Sequence, residues 1–357
     1  MAITGLHHIT LVTADAQRNV DFYTRLLGLR LVKQTVNFDD PSSYHLYYAD
    51  AVGTPGTVVT FFEWPLAPRG RTGIGGTHHF ALRTTDREAL LRWKRRLTDA
   101  GVKVRGPYDR HYFTSIYFHD PDGTILEIAT DGPGLHIDEP DGVPGATAQY
   151  PPAEKTRGVR DETAIDAITW HEPVDTVDAA MSLRRGMHHI SATASDLSRT
   201  DAFLQGLLGL SLVKRTANFD DPTMPHWSWG APDAAPGTLV TYFQGNANTQ
   251  RSAMGAGQTH HYAFSVPGDA EQHAVLERLH RIGYPVSPVM DRVYFRSIYT
   301  RDPDGHIVEV ATAVPGFLVD ESAHDTGTAL QLPPWLESQR ARIATALTPL
   351  AVDRALN

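Results

Sequence analysis

Laid against itself at a shift of 181 to 182 residues, the 357-residue chain matches from end to end, and that duplication limits its fold more than any other feature. GLHHITLV at 5–12 lies over GMHHISAT at 186–193, and LLGLRLVKQTVNFDDP at 26–41 over LLGLSLVKRTANFDDP at 207–222. Further on, GGTHHFAL at 75–82 meets GQTHHYAF at 257–264, and DRHYFTSIYFHDPDGTILEIAT at 109–130 meets DRVYFRSIYTRDPDGHIVEVAT at 291–312. AQYPP at 148–152 echoes LQLPP at 330–334. A period this long is too large for a solenoid unit, so the reading is a duplicated domain: residues 1–152, a polar, proline-bearing connector over 153–184, and residues 185–357.

Each half divides again. HHITLVT reads as a short strand, and TADAQRNVDFYTRLLG follows with a Thr13 or Asp15 cap, apolar residues at helical spacing and a Gly28 stop. LRLVKQTV, YHLYYAD and TVVTFF are then three strand-like runs separated by DDP and TPG turns. The next quarter repeats the order, with DREALLRWKRRLTDAG as its helix. The expected fold class is therefore α+β: four βαβββ modules in two duplicated halves.

Composition bears mainly on what the chain can bind. With 41% hydrophobic and 20% charged residues it is globular, and a net charge of −9 without a basic block argues against nucleic acid. No apolar run reaches the roughly 18 residues a membrane helix needs, and no signal-peptide pattern opens the chain, so a cytoplasmic location with no membrane partner is expected. The absence of cysteine excludes disulfides and thiolate ligands, and 18 histidines leave imidazole and carboxylate as the available metal donors.

Four βαβββ modules, with HH on the module-opening strands and a glutamate in the strand after DPDG, resemble the vicinal oxygen chelate superfamily of glyoxalases, bleomycin-resistance proteins and extradiol dioxygenases. Within it, GLHHIT, LGLRLVKQTVNFDDP, YHLYYAD, PGTVVTFF, DRVYFRSIY and ATAVPGFLVDE are most similar to the hydroquinone-type ring-cleaving dioxygenases. That resemblance implies modules paired into two open, strongly curved cups with the metal inside. It implies the second histidine of each pair as ligand, giving His8, His79, His189 and His261, with Glu127 and Glu309 as carboxylates. Two histidines and one glutamate form the facial triad of non-haem Fe(II) oxygenases, and Mn(II) can occupy the same donor set. Spacing does not say which histidine joins which glutamate; the hydroquinone-type relatives imply His8 with His261 and Glu309, leaving His79, Glu127 and His189 as a second set. A complete second set departs from relatives whose middle modules are degenerate.

Around the metal the resemblance implies His7, Thr10, His260, Arg292 and Tyr299, with His78, Arg110 and Tyr117 as first-half counterparts and Ser191 in the place of Thr10. Because neighbouring residues on a strand face opposite ways, one histidine of each HH pair is expected to point into a cup and the other away. The blander reading of a lone histidine is a hydrogen-bonded core residue, but buried glutamates repeated on strands are costly without a partner. Aligning PGTVVTFF with DGTILEIA puts Thr60, and in the second half Thr241, where glyoxalase I-type sites carry a fourth, carboxylate ligand. NFDDP and DPDG read as turns, and His45 and His226 as secondary cup candidates. The expected activity is ring cleavage of a small hydroquinone- or catechol-type aromatic with dioxygen. The rivals are a glyoxalase-type isomerase or lyase, which consumes no oxygen, and a non-catalytic small-molecule-binding member. Homo-oligomerisation stays open.

Overall fold

The computed structural model describes residues 2–139 and 143–353, and all four predicted modules are present. The first comprises β1 (Gly5–Thr13), α1 (Ala16–Val20), β2 (Arg30–Asn37), β3 (Asp40–Ala49) and β4 (Val58–Glu63). The second comprises β5 (Gly76–Thr84), α2 (Arg87–Asp99), β6 (Arg105–Asp109), β7 (Thr114–His119) and β8 (Ile125–Thr130). A short α3 (Glu162–Ala167) lies in the connector. The third module is β9 (Met187–Ala194), α4 (Leu197–Asp201), β10 (Ser211–Ala217), β11 (Pro225–Gly230) and β12 (Leu239–Gln244). The fourth is β13 (Thr259–Val266), α5 (Asp269–Arg281), β14 (Met290–Asp291), β15 (Phe295–Arg301) and β16 (Ile307–Pro315).

Of the Thr13 or Asp15 cap expected for the first helix it is Asp15 that caps, while α5 starts after Gly268 without a side-chain cap. Asp15, Asp86 and Asp196 each accept backbone N–H bonds from the first turn that follows. Periodicity suggests one continuous helix from residue 16 to Gly28, but α1 widens into a π-helical turn over Asp21–Leu26, as α4 does over Ala202–Leu207. In the first of these Thr24 Oγ1 bonds back to the Val20 carbonyl at 2.7 Å, offering the ladder a competing donor. Gly28 and Gly209 end these segments at φ +70° and +81°, a region that glycine enters without a Cβ clash.

The strands assemble into two eight-stranded sheets. One runs β14-β15-β16-β13-β1-β4-β3-β2 and joins the fourth module to the first; the other runs β10-β11-β12-β9-β5-β8-β7-β6 and joins the third to the second. Each sheet thus takes one module from each sequence half, with β1 antiparallel to β13 and β5 antiparallel to β9 at the seams. The helices and the sheet backs share one large core that includes Tyr23, Phe61, Phe80, Trp93, Trp229, Tyr242 and Tyr262. The two DPDG segments are turns and also stitches. Asp120 accepts from the backbone of Asp122 and Thr124, while Asp122 accepts from Thr13 Oγ1 at 2.5 Å and Arg18 at 2.8 Å in the first module. Asp304 holds Ser195 in the same way. Among the described residues no helix is long and apolar enough to cross a membrane.

Candidate metal centres

Strand register brings the chelating residues together. His8 on β1, His261 on β13 and Glu309 on β16 converge in the first cup; His79 on β5, His189 on β9 and Glu127 on β8 converge in the second. In the first set His8 Nε2 lies 3.2 Å and His261 Nε2 2.9 Å from Glu309 Oε2, and the two nitrogens are 3.2 Å apart. In the second, His79 and His189 Nε2 lie 2.9 and 3.3 Å from Glu127 Oε2 and 3.3 Å from each other. All six side chains are buried, both glutamates completely.

The four HH dipeptides share one local device. Along β1 the register steps from Leu6↔Phe264 to His8↔Ala263, so His7 is the extra residue of a bulge; His260, His78 and His188 are extra in the same way at the other three shifts. At each bulge the two rings meet Nδ1 to Nδ1, at 2.8 Å for His7–His8, His78–His79 and His260–His261 and 2.9 Å for His188–His189. For His7–His8 and His188–His189 only the second histidine lines a cavity, as strand alternation leads one to expect; for the other two pairs the expectation is corrected. His260 lies with His261 on the wall of the first cavity and His78 with His79 on that of the second.

The bulges also set the tautomers. Burial first, then His8, drives His7 down to a pKa of about 3, so its ring is neutral, and a hydrogen bond to the Thr312 backbone occupies its other side. With its proton engaged there, His7 Nδ1 accepts from His8 Nδ1–H, which leaves the lone pair of His8 Nε2 aimed at Glu309. Glu309 Oε2 and both oxygens of Glu127 are buried without a hydrogen-bond donor, while Ser297 Oγ donates to Glu309 Oε1. Burial opposes ionisation of both glutamates, and only positive charge or a proton shared with the adjoining histidines holds each below the usual carboxylate range. Inward-facing lone pairs around an ionised carboxylate repel one another unless a cation joins them, so both donor sets fit a divalent metal.

The surrounding residues fall into distinct places. Tyr299 sits edge-on to His261 with ring centroids 5.8 Å apart, and Arg292 Nε donates to its hydroxyl at 3.1 Å. Thr10 and His7 are buried behind the first cavity and are not among its lining residues. Thr10 accepts from Thr60 at 3.0 Å; Thr60 bonds His45 Nε2 at 2.7 Å, and Tyr47 bonds His45 Nδ1 at 2.9 Å. In the second cup Ser191, Thr241 and His226 repeat the chain, but Ser228 replaces the tyrosine. Tyr117 stands 5.7 Å from His79 in the place of Tyr299, and Arg110 stacks on it at 5.1 Å. The NFDDP segments are turns as expected, yet their central aspartates reach the cups. Asp39 lies 3.4 Å from Arg292, while Asp220 binds Arg110 through both oxygens at 3.2 and 3.0 Å. Nothing in a turn motif points to that pairing, which joins each aspartate to the arginine of the other sequence half.

The sequence profile of the Glyoxalase/Bleomycin resistance protein/Dioxygenase superfamily matches residues 5–128 and 186–310. The chain belongs to that superfamily. Over 350 residues it is 32% identical to the Bacillus subtilis (strain 168) protein named "Putative ring-cleaving dioxygenase MhqA", covering 98% of this chain and 100% of the relative. It is 30% identical to the "Chlorohydroquinone/hydroquinone 1,2-dioxygenase" of Sphingobium indicum, covering 94% and 93% of the two chains. The crystal structure of a "putative dioxygenase" from Bacillus subtilis superposes with a TM-score of 0.77 at 30% identity and 98% coverage of both chains.

Proposed function

We propose that this member of the superfamily is a ring-cleaving dioxygenase acting on a hydroquinone- or catechol-type aromatic, with Fe(II) as its metal and Mn(II) as the alternative. His8, His261 and Glu309 hold the metal in the first cup, and His79, His189 and Glu127 in the second. The observation that carries the reading is a three-donor set with a threonine in the place of a fourth. Thr60 is spent on Thr10 and His45, and among the described residues each donor set holds a single carboxylate. When bound, a metal on such a face offers open positions where an aromatic diol and dioxygen can be held together and exchange electrons.

The residues around it supply hydrogen-bond donors. Burial keeps the Tyr299 hydroxyl protonated, and because that oxygen accepts from Arg292, its own proton is free to turn into the cavity. Once His261 binds metal through Nε2 its Nδ1–H donates to His260, so the neutral His260 ring carries its proton on Nε2 and presents an N–H donor. Together with the Arg292 guanidinium these groups oppose the negative charge that builds on oxygen during ring cleavage. Their donors are fixed before substrate arrives, which is what makes such stabilisation effective.

Purified protein loaded with Fe(II) should consume one dioxygen per aromatic ring across a panel of hydroquinones and catechols. Glu309→Gln should lose one metal per chain and lower turnover in the first cup by about 100-fold or more. A glyoxalase-type isomerase would turn over without oxygen uptake, and that result would sink the proposal.

A further inference from the structure

The two donor sets match, but the cavities above them do not. The first encloses about 910 Å³, reaching from the metal ligands to Tyr284 and Ser287 and outward to Arg301 and Gly305. The second encloses about 420 Å³. The connector contributes to one cavity and not to the other. Among the described residues none after Glu309 lines the first cavity, whereas Arg157 and Arg160, from the segment that leads into α3, wall the second. Module differences add to the contrast: Arg105 stands in the second cavity where Ser287 lines the first, and Tyr108 lines the second while its counterpart Met290 is not among the residues lining the first.

Most cations of the second cavity are already neutralised. Arg110 and Arg160 share Asp220, Arg160 and Arg105 share Glu162, Arg105 also holds Asp166, and Lys214 is buried against Asp138 and Glu139. Arg157 differs. Its backbone N–H is anchored on the Phe219 carbonyl at 2.8 Å, but its exposed guanidinium has no carboxylate within ion-pair distance among the described residues. Arg157 lines a narrow cavity walled by aromatic side chains, and a planar guanidinium is matched to a carboxylate, which it can bind through two parallel N–H···O bonds.

We propose that the second cup is a separate active site that takes a dihydroxylated aromatic ring bearing a carboxylate, with Arg157 receiving that carboxylate, while the roomier first cup accepts rings without an acid. The proposal rests on the ring-cleaving reading of the donor sets. In the second cup His226, Phe243, Tyr108 and Phe113 wall a space suited to one ring, and the connector closes the side through which a bulky substituent would extend.

The test uses full-length Glu309→Gln protein loaded with Fe(II) and titrated without oxygen, so that only the second donor set is intact. It should retain one metal per chain and bind 2,5-dihydroxybenzoate about five- to tenfold more tightly than 1,4-dihydroxybenzene. Adding Arg157→Ala should abolish that preference with metal content unchanged, and Glu127→Gln protein should show none. In the wild-type background Arg157→Ala should remove the tight phase of dihydroxybenzoate binding, a check that does not depend on how Glu309→Gln folds. Equal affinities, a preference that survives Arg157→Ala, or no metal in Glu309→Gln would overturn the proposal. Binding is read without oxygen, so a failure of oxygen uptake would sink the dioxygenase reading and leave this result standing.

Discussion

A carboxylate sealed among apolar strands costs several kcal/mol unless something positive meets it. Glu309 and Glu127 are such carboxylates, and residue types alone made them suspect. What the residue pattern hid is the part played by the first histidine of each pair. His7 is buried, neutral and held by the Thr312 backbone, so its task is to orient His8 rather than to meet substrate. His7→Phe should therefore weaken the first metal by about 10- to 100-fold in chelator competition while the second metal is held as before. An unchanged first affinity would show that His8 needs no such partner. His188 occupies the equivalent place, but its Nε2 is buried without a partner, so the same substitution there should cost less.

At the scale of elements, the strands and helices follow their period and their caps, and the departures occur where function intervenes. Bulges at the HH pairs and π-helical turns after α1 and α4 have no signature in hydrophobic spacing, because both arise from backbone register set by a partner strand or by a packed side chain. The DPDG turn was legible, but its docking was not. Burial raises Asp120 from an ordinary 3.8 to about 6, against the backbone bonds it accepts and the Tyr23 hydroxyl 3.1 Å away. A raised folded pKa means stability that is full below pH 3.8 and is lost as pH rises through about 6. Wild-type protein should thus lose about 2–3 kcal/mol relative to Asp120→Asn between pH 4 and pH 7, read from urea midpoints at the two pH values. A pH-independent difference would mean that Asp120 stays ionised in the fold.

Across the whole molecule, each sheet needs strands from both halves, so the sequence repeat and the structural cups cut the chain differently. Expressed alone, residues 1–152 would leave the seam edges of β1 and β5 unpaired and should not give a folded monomer; light scattering should find aggregate or a swapped oligomer, and co-expression with 185–357 should rescue a one-to-one complex. A monodisperse monomer with native circular dichroism would contradict the shared-sheet account. The α+β class, the four modules and the types of the six chelating residues could be read from the chain because they are written in local period and in exact repetition. The convergence of His8 with His261 across 253 residues was implied by family resemblance and not by spacing, while the bulges at the histidine pairs and the connector residues that wall the second cup had no signal in the chain. Those features depend on which edges meet and where a strand slips by one residue, and a long-range contact leaves no mark on the spacing of the residues that make it.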